Sequence, residues 1–196
     1  MQIKPSLFAL AVLATGSFSA QAALVPETPS CNNGGAATAM GALACSGAWD
    51  GNNVNQEADV LAQLGLDFSD DVGLSGDWSY FGSTDAGLAD GPFSAVPADR
   101  TGTLSFDSAV TGYFVVALKS STNFSLYLFD GGDAGLASID FTTRGTALNP
   151  QNGRPQALSH ASLYTFTPAV PEAETYALML AGLGLTGFMV RRRKPA

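Results

Sequence analysis

The chain has 196 residues, with 9 basic side chains against 17 acidic ones, one His and two Cys, for a formal net charge of −8. Phosphate-backbone recognition needs a basic face, so this balance excludes nucleic acid as an expected partner. The positive charges are also segregated: Lys4 stands at the front, Arg191, Arg192, Arg193 and Lys194 crowd the end, and only Arg100, Lys119, Arg144 and Arg154 lie between.

At the N-terminus, Lys4 precedes the apolar run Leu7 to Ala14, and Ala20-Gln21-Ala22 has the small-x-small form cut by signal peptidase. The run is short beside the roughly 20 residues of a spanning helix, so residues 1–22 read as a signal peptide removed after Ala22. Export agrees with the cysteines. Cys31 and Cys45 are the only pair, and an even count in an oxidising compartment points to a disulfide, which for a loop of this size stabilises by about 3 kcal/mol. A catalytic thiol or a transition-metal site would need His or further Cys partners, and His160 is the only histidine.

Residues 23–169 are enough for one domain with a core. Four basic residues stand there against fifteen acidic ones, so the exported part carries −11. Most of the acids are Asp, a turn former, and they alternate with glycine and short apolar runs in an all-β pattern. One short helix is expected, with Asn55 as its cap, Glu57 and Asp59 in the first turn, Val60, Leu61 and Leu64 as the apolar face, and Gly65 as its end. Strands follow at Asp77 to Phe81, Thr103 to Phe106, Tyr113 to Leu118, Phe124 to Phe129, Ser138 to Thr142, and Ser162 to Thr167. Alternation puts Phe124, Leu126 and Leu128 on one face, with Ser125 and Tyr127 on the other. Ser120, Ser121 and Thr122 make a hairpin connection. Six strands with local turns predict an antiparallel β-sandwich ectodomain.

Chemistry in this domain has few carriers. A Ser-His-Asp hydrolase would have to use His160, and no G-x-S-x-G elbow presents a serine; His160 reads as a structural histidine bonded to a neighbouring strand. A glycosidase pair among fifteen acids carries no specificity. Calcium needs only oxygen, and Asp130-Gly131-Gly132-Asp133, Asp67 with Asp70 and Asp71, and Asp50 with Asn52 are candidate loops, with Asp130 and Asp133 named as weak ligands. None fits the EF-hand spacing, because Val54 and Leu61 occupy ligand positions after Asp50. The solvated-turn reading is therefore preferred, and no metal or cofactor is expected. A sugar platform could draw on Trp49, Trp78, Tyr80 and Tyr127, residues that more often pack in a core. Asn123-Phe124-Ser125 matches a glycosylation acceptor pattern, without the acidic residue at 121 that bacterial transferases of the best-known type want; Asn123 is read as a strand residue.

Residues 170–196 hold the strongest pattern. From Tyr176 to Val190 run fifteen uncharged residues, followed at once by Arg191, Arg192, Arg193 and Lys194. As a helix this is about 22 Å long, a weak transmembrane anchor unless Tyr176 and the arginines reach the interfaces. The basic cluster stays cytoplasmic by the positive-inside rule, which leaves the domain outside. Gly182, Gly184 and Gly187 would admit a second helix closely. Ahead of it stand Val170, Pro171, Glu172 and Ala173; proline cannot sit within a helix and holds an extended stretch outside the bilayer, the form a protease cleft accepts.

The order of Pro-Glu motif, hydrophobic helix and terminal arginines resembles the PEP-CTERM sorting signal of Gram-negative bacteria, through Pro171 and Glu172, the helix Ala177 to Phe188, and Arg191 to Arg193. Ala173 stands where that family has its second proline. The resemblance implies processing by an exosortase, an integral-membrane cysteine transpeptidase, with cleavage near residues 170 to 174. It also implies transient residence in the inner membrane, then the cell surface or an exopolysaccharide matrix, with a role in biofilm or floc formation. From the domain's own residues no enzymatic activity is expected. The stretches LKSSTNFSLYLFDGG and LSHASLY are similar to a β-rich ectodomain of other PEP-CTERM proteins, which adds no activity. The alternatives are a carbohydrate- or calcium-binding adhesin and a small secreted hydrolase.

Overall fold

The structure, a computed structural model, describes residues 24–73, 75–85, 87, 91–169 and 173–192. The expected signal peptide, with Ala20 and Ala22, lies outside them.

Two antiparallel sheets pack face to face. Their strands are β1 (Ala44–Asp50), β2 (Gly76–Asp85), β3 (Phe93–Ala95), β4 (Thr101–Val110), β5 (Tyr113–Ser120), β6 (Asn123–Asp130), β7 (Leu136–Thr142) and β8 (His160–Pro168). The larger sheet runs β1-β6-β5-β8-β2 and the smaller β3-β4-β7. The six strands read from the sequence are all present, and the sandwich is the core of the fold. β1 and β3 are additional. β1 lacks β-branched residues, has Trp49 as its single aromatic, and slips in register between Gly47 and Trp49, so its composition marks a strand only weakly.

The five-stranded sheet is buried on both faces, which an ordinary two-layer sandwich does not require. Phe114, Val116, Leu118, Tyr127, Phe129 and Leu163 meet Phe93, Leu104, Phe106, Ile139 and Phe141 of the smaller sheet. On the reverse face Val115, Ala117, Phe124, Leu126, Leu128 and Tyr164 are covered by α2 (Glu57–Asp67) and α3 (Ser69–Val72). Val60, Leu64, Phe68 and Val72 supply that cover, a spacing of four that keeps one helical face toward the sheet. Phe124, Leu126 and Leu128 share this face as the alternation predicts, while Tyr127 points to the smaller sheet.

The helical part departs from the expectation in three ways. Gln56, not Asn55, precedes α2, and its side-chain carbonyl accepts from the Asn52 N–H at 3.0 Å instead of capping the helix. α2 continues through Gly65, because burying Leu64 and Phe68 outweighs the roughly 1 kcal/mol that glycine costs. Two further short helices are present, α3 and α1 (Ala36–Met40), the latter lying against β7.

Cys31 and Cys45 are bridged, with Cα atoms 5.9 Å apart. The bridge fastens the incoming chain to β1, where the Glu27 N–H donates to the Ala48 carbonyl at 2.7 Å and the Asp50 N–H to that of Val25 at 2.9 Å. The Tyr127 hydroxyl donates to the Cys31 carbonyl at 3.0 Å. Gly145 packs so closely there that a Cβ would collide with the same carbonyl.

Candidate functional site

β8 delivers the chain to its C-terminal segment without a spacer. Pro168 is paired with Gly76, the Ala169 N–H donates to the Ser75 carbonyl at 2.7 Å, and α4 (Ala173–Arg192) begins four positions later. Val170, Pro171, Glu172 and Arg193 lie outside the described residues. Four chain steps extend at most about 14 Å, so the helix is tethered close to the end of the sheet.

α4 has 20 residues, about 30 Å of helix, but Glu174, Arg191 and Arg192 fall within it. Among the described residues no helix is long and apolar enough to cross a membrane. Met179, Leu180, Leu183, Leu185 and Met189 are nonetheless exposed, about three fifths of each side chain's surface facing outward. Thr186 satisfies its hydroxyl within the helix, donating to the Gly182 and Leu183 carbonyls at 3.1 and 2.9 Å. An apolar surface with its polar group internally bonded suits an apolar environment better than water. A Cβ at Gly182, Gly184 or Gly187 would meet nothing, so the helix surface is open at each of these glycines, which point to different sides of it. α4 includes Ala173 and Tyr176.

Residues 169–194 match the family model of the PEP-CTERM protein-sorting motif. The chain carries a PEP-CTERM sorting motif. The match runs through Val170, Pro171, Glu172, Ala173 and the arginines, so alanine in the second proline's place leaves the PEP-CTERM pattern recognisable. Comparison of the whole chain with curated proteins and with solved structures gives no match. A PEP-CTERM motif implies an exosortase as processing partner and export toward the cell surface.

Elsewhere the domain uses its polar residues for its own architecture. His160 is buried, its Nε2 2.9 Å from the Asn53 side-chain carbonyl, and the Asn53 amide donates to the Ser162 hydroxyl at 2.7 Å. Asn53, fully buried between α2 and β8, was not marked by any sequence pattern. The Tyr164 hydroxyl lies against it, and burial raises the Tyr164 pKa above the usual tyrosine range, against the opposing hydrogen bond from Asn53. Lys119, opposite His160, is only 6 % exposed; burial lowers its pKa, partly offset by the Asp50 carboxylate, and its Nζ donates to the Ser121 carbonyl.

The four aromatic candidates share no platform. Tyr127 faces the smaller sheet, whereas Trp49, Trp78 and Tyr80 pack on the helical side. Trp78 lies 5.1 Å from Phe166 and 6.5 Å from Phe68, and Tyr80 lies 5.5 Å from Tyr164. Asp130 accepts from the Gly132 N–H at 2.8 Å, closing the turn that holds Asp133; among the described residues no group of three or more acidic, His or Cys side chains could hold a metal ion. The Ser46 hydroxyl donates to the Asp67 carboxylate. Asn123 is buried and accepts from the Thr122 hydroxyl at 2.8 Å, so it serves as a strand residue.

Charge differs between the two ends of the strands, although Asp50, Asp85 and Asp99 accompany the cations at theirs. Lys119 pairs with the start of β8, Arg100 precedes β4 and donates to the Pro155 carbonyl at 2.7 Å, and Arg144 and Arg154 lie between β7 and β8. The domain's four cations thus occupy one end. Asp70, Asp71, Asp77, Asp130 and Asp133 lie at the other, where β8 leaves the sheet.

Proposed function

We propose that the protein is an exported structural component of an extracellular matrix, held briefly in the inner membrane by α4 and released or transferred by an exosortase. The observation that carries this reading is the sorting motif placed directly after a disulfide-closed β-domain. In this reading the exposed apolar surface of α4 faces the lipid, and the basic residues that follow it in the sequence stay on the cytoplasmic side. Cleavage removes the anchor and the positive tail together, leaving a domain at −11. In a hydrated, cation-rich polysaccharide the same charge keeps the domain soluble and spread through the matrix.

A structural role is supported by the way His160, Asn53, Ser162 and Tyr164 bond to one another inside the fold. Deleting the gene should reduce cell aggregation, floc or biofilm cohesion while the cells continue to make exopolysaccharide. Unchanged aggregation with normal polysaccharide output would contradict the matrix role.

A further inference from the structure

The last strand overhangs its neighbour. β5 accompanies β8 only as far as Thr165, opposite Phe114, whereas β2 stays with β8 to Pro168. Phe166, Thr167 and Pro168 are therefore paired on the β2 side alone, and β2 is itself the edge strand of the sheet. The tip of this ribbon is exposed and its root half-buried. Thr167, Pro168 and Ala169 are exposed, while the half-buried Phe166 ring is wedged on Trp78, which in turn meets Phe68. At Gly76 β2 approaches closely: a Cβ there would collide with the Thr167 carbonyl and the Phe166 ring.

An enzyme that cuts an extended peptide grips chain on both sides of the bond, as strand addition does elsewhere. Three residues separate the sheet-bonded Ala169 from α4, so the grip on the N-terminal side of Pro171 and Glu172 falls on residues that β2 already holds. Resting on the exosortase reading above, we infer that Thr167, Pro168 and Ala169 belong to the enzyme's substrate segment and are taken from β2, so that cleavage passes through molecules whose overhang is open. The folded sheet thereby sets the processing rate, which scales with the open fraction. Phe166 on Trp78 stops the peeling short of the core.

The test uses the full-length chain in exosortase-bearing cells, with the cut fraction followed by mass after a pulse of synthesis. Asp77 and Thr167 stand directly opposite, so Asp77→Cys with Thr167→Cys cross-links the ribbon. The cross-linked chain should be cut about tenfold more slowly or worse, since only open molecules react. A six-residue Gly-Ser insertion between Ala169 and Val170 of the same chain should restore the wild-type rate by supplying free extended residues. Gly76→Val, which pushes β2 away without a cross-link, should be cut faster than wild type. Wild-type cleavage of the cross-linked chain, failure of the insertion to restore it, or unchanged or slower cleavage of Gly76→Val would overturn the inference. A wild-type chain left uncut in these cells would overturn the exosortase reading itself, and this inference with it.

Discussion

Tyr127 and Tyr164 lie on opposite faces of the central sheet, and both are held as neutral phenols in the fold. Burial pushes the Tyr127 pKa up to about 12 from 10.0, against a weaker opposing influence of the nearby Thr146 and Ser125 hydroxyls, and raises that of Tyr164 in the same direction. A raised folded-state pKa gives stability that is complete below the unfolded value and is lost as pH climbs through the folded one. Stability should therefore fall between pH 10 and 12. Lys119 works the other way: its lowered pKa is a penalty on the protonated amine that eases as pH rises toward 10.5, so it cannot cause the alkaline loss. Tyr127→Phe should flatten part of the fall, and at neutral pH cost about 1 kcal/mol for the bond to the Cys31 carbonyl. Urea denaturation of both proteins from pH 7 to 12 measures this, and an equally steep fall in the variant would contradict it. The cysteine pair was legible because two cysteines in an exported chain leave one pairing. Asn53 was not, since an asparagine in a polar turn looks the same whether it faces water or, as here, His160 and Ser162.

At the scale of elements, the second face of the large sheet stands or falls with α2 and α3. Leu64 is fully buried there, whereas Leu66, two residues on, is 77 % exposed. Leu64→Ala should cost about 2–5 kcal/mol through lost transfer energy and a residual cavity, and Leu66→Ala no more than about 0.5 kcal/mol. Equal shifts in the thermal midpoints of the two variants would rule out the helical layer as drawn. The strands rich in β-branched and aromatic residues were legible, as Tyr113 to Leu118 and Phe124 to Phe129 illustrate. β1 was hidden because Gly47, Ala44 and Ala48 carry no strand preference; its place comes from the disulfide, the incoming Glu27 segment and β6. Gly65 read as a stop for local reasons, yet tertiary burial on either side carried the helix past it. The β2–β8 overhang was beyond sequence reading altogether, because it depends on where β5 ends relative to β8.

At the scale of the molecule, three separations along the chain become one arrangement in space. The domain's cations gather at the end away from the exit of β8, its exit end is acidic, and the sorting motif follows within a few residues. The motif was legible since its order of Pro-Glu, apolar helix and arginines is written locally. The polarity was not, because it is set by strand direction and pairing, which bring Asp77 and Asp130 to the same end from positions far apart in sequence. The central claim is that the chain is an exosortase substrate whose anchor is removed. Intact-mass measurement of the exported protein, from cells with and without the exosortase, tests it most directly. Cells with the enzyme should yield a chain ending near residues 170 to 174, and cells without it a chain that keeps Arg191 to Lys194; a retained tail in both would contradict the account.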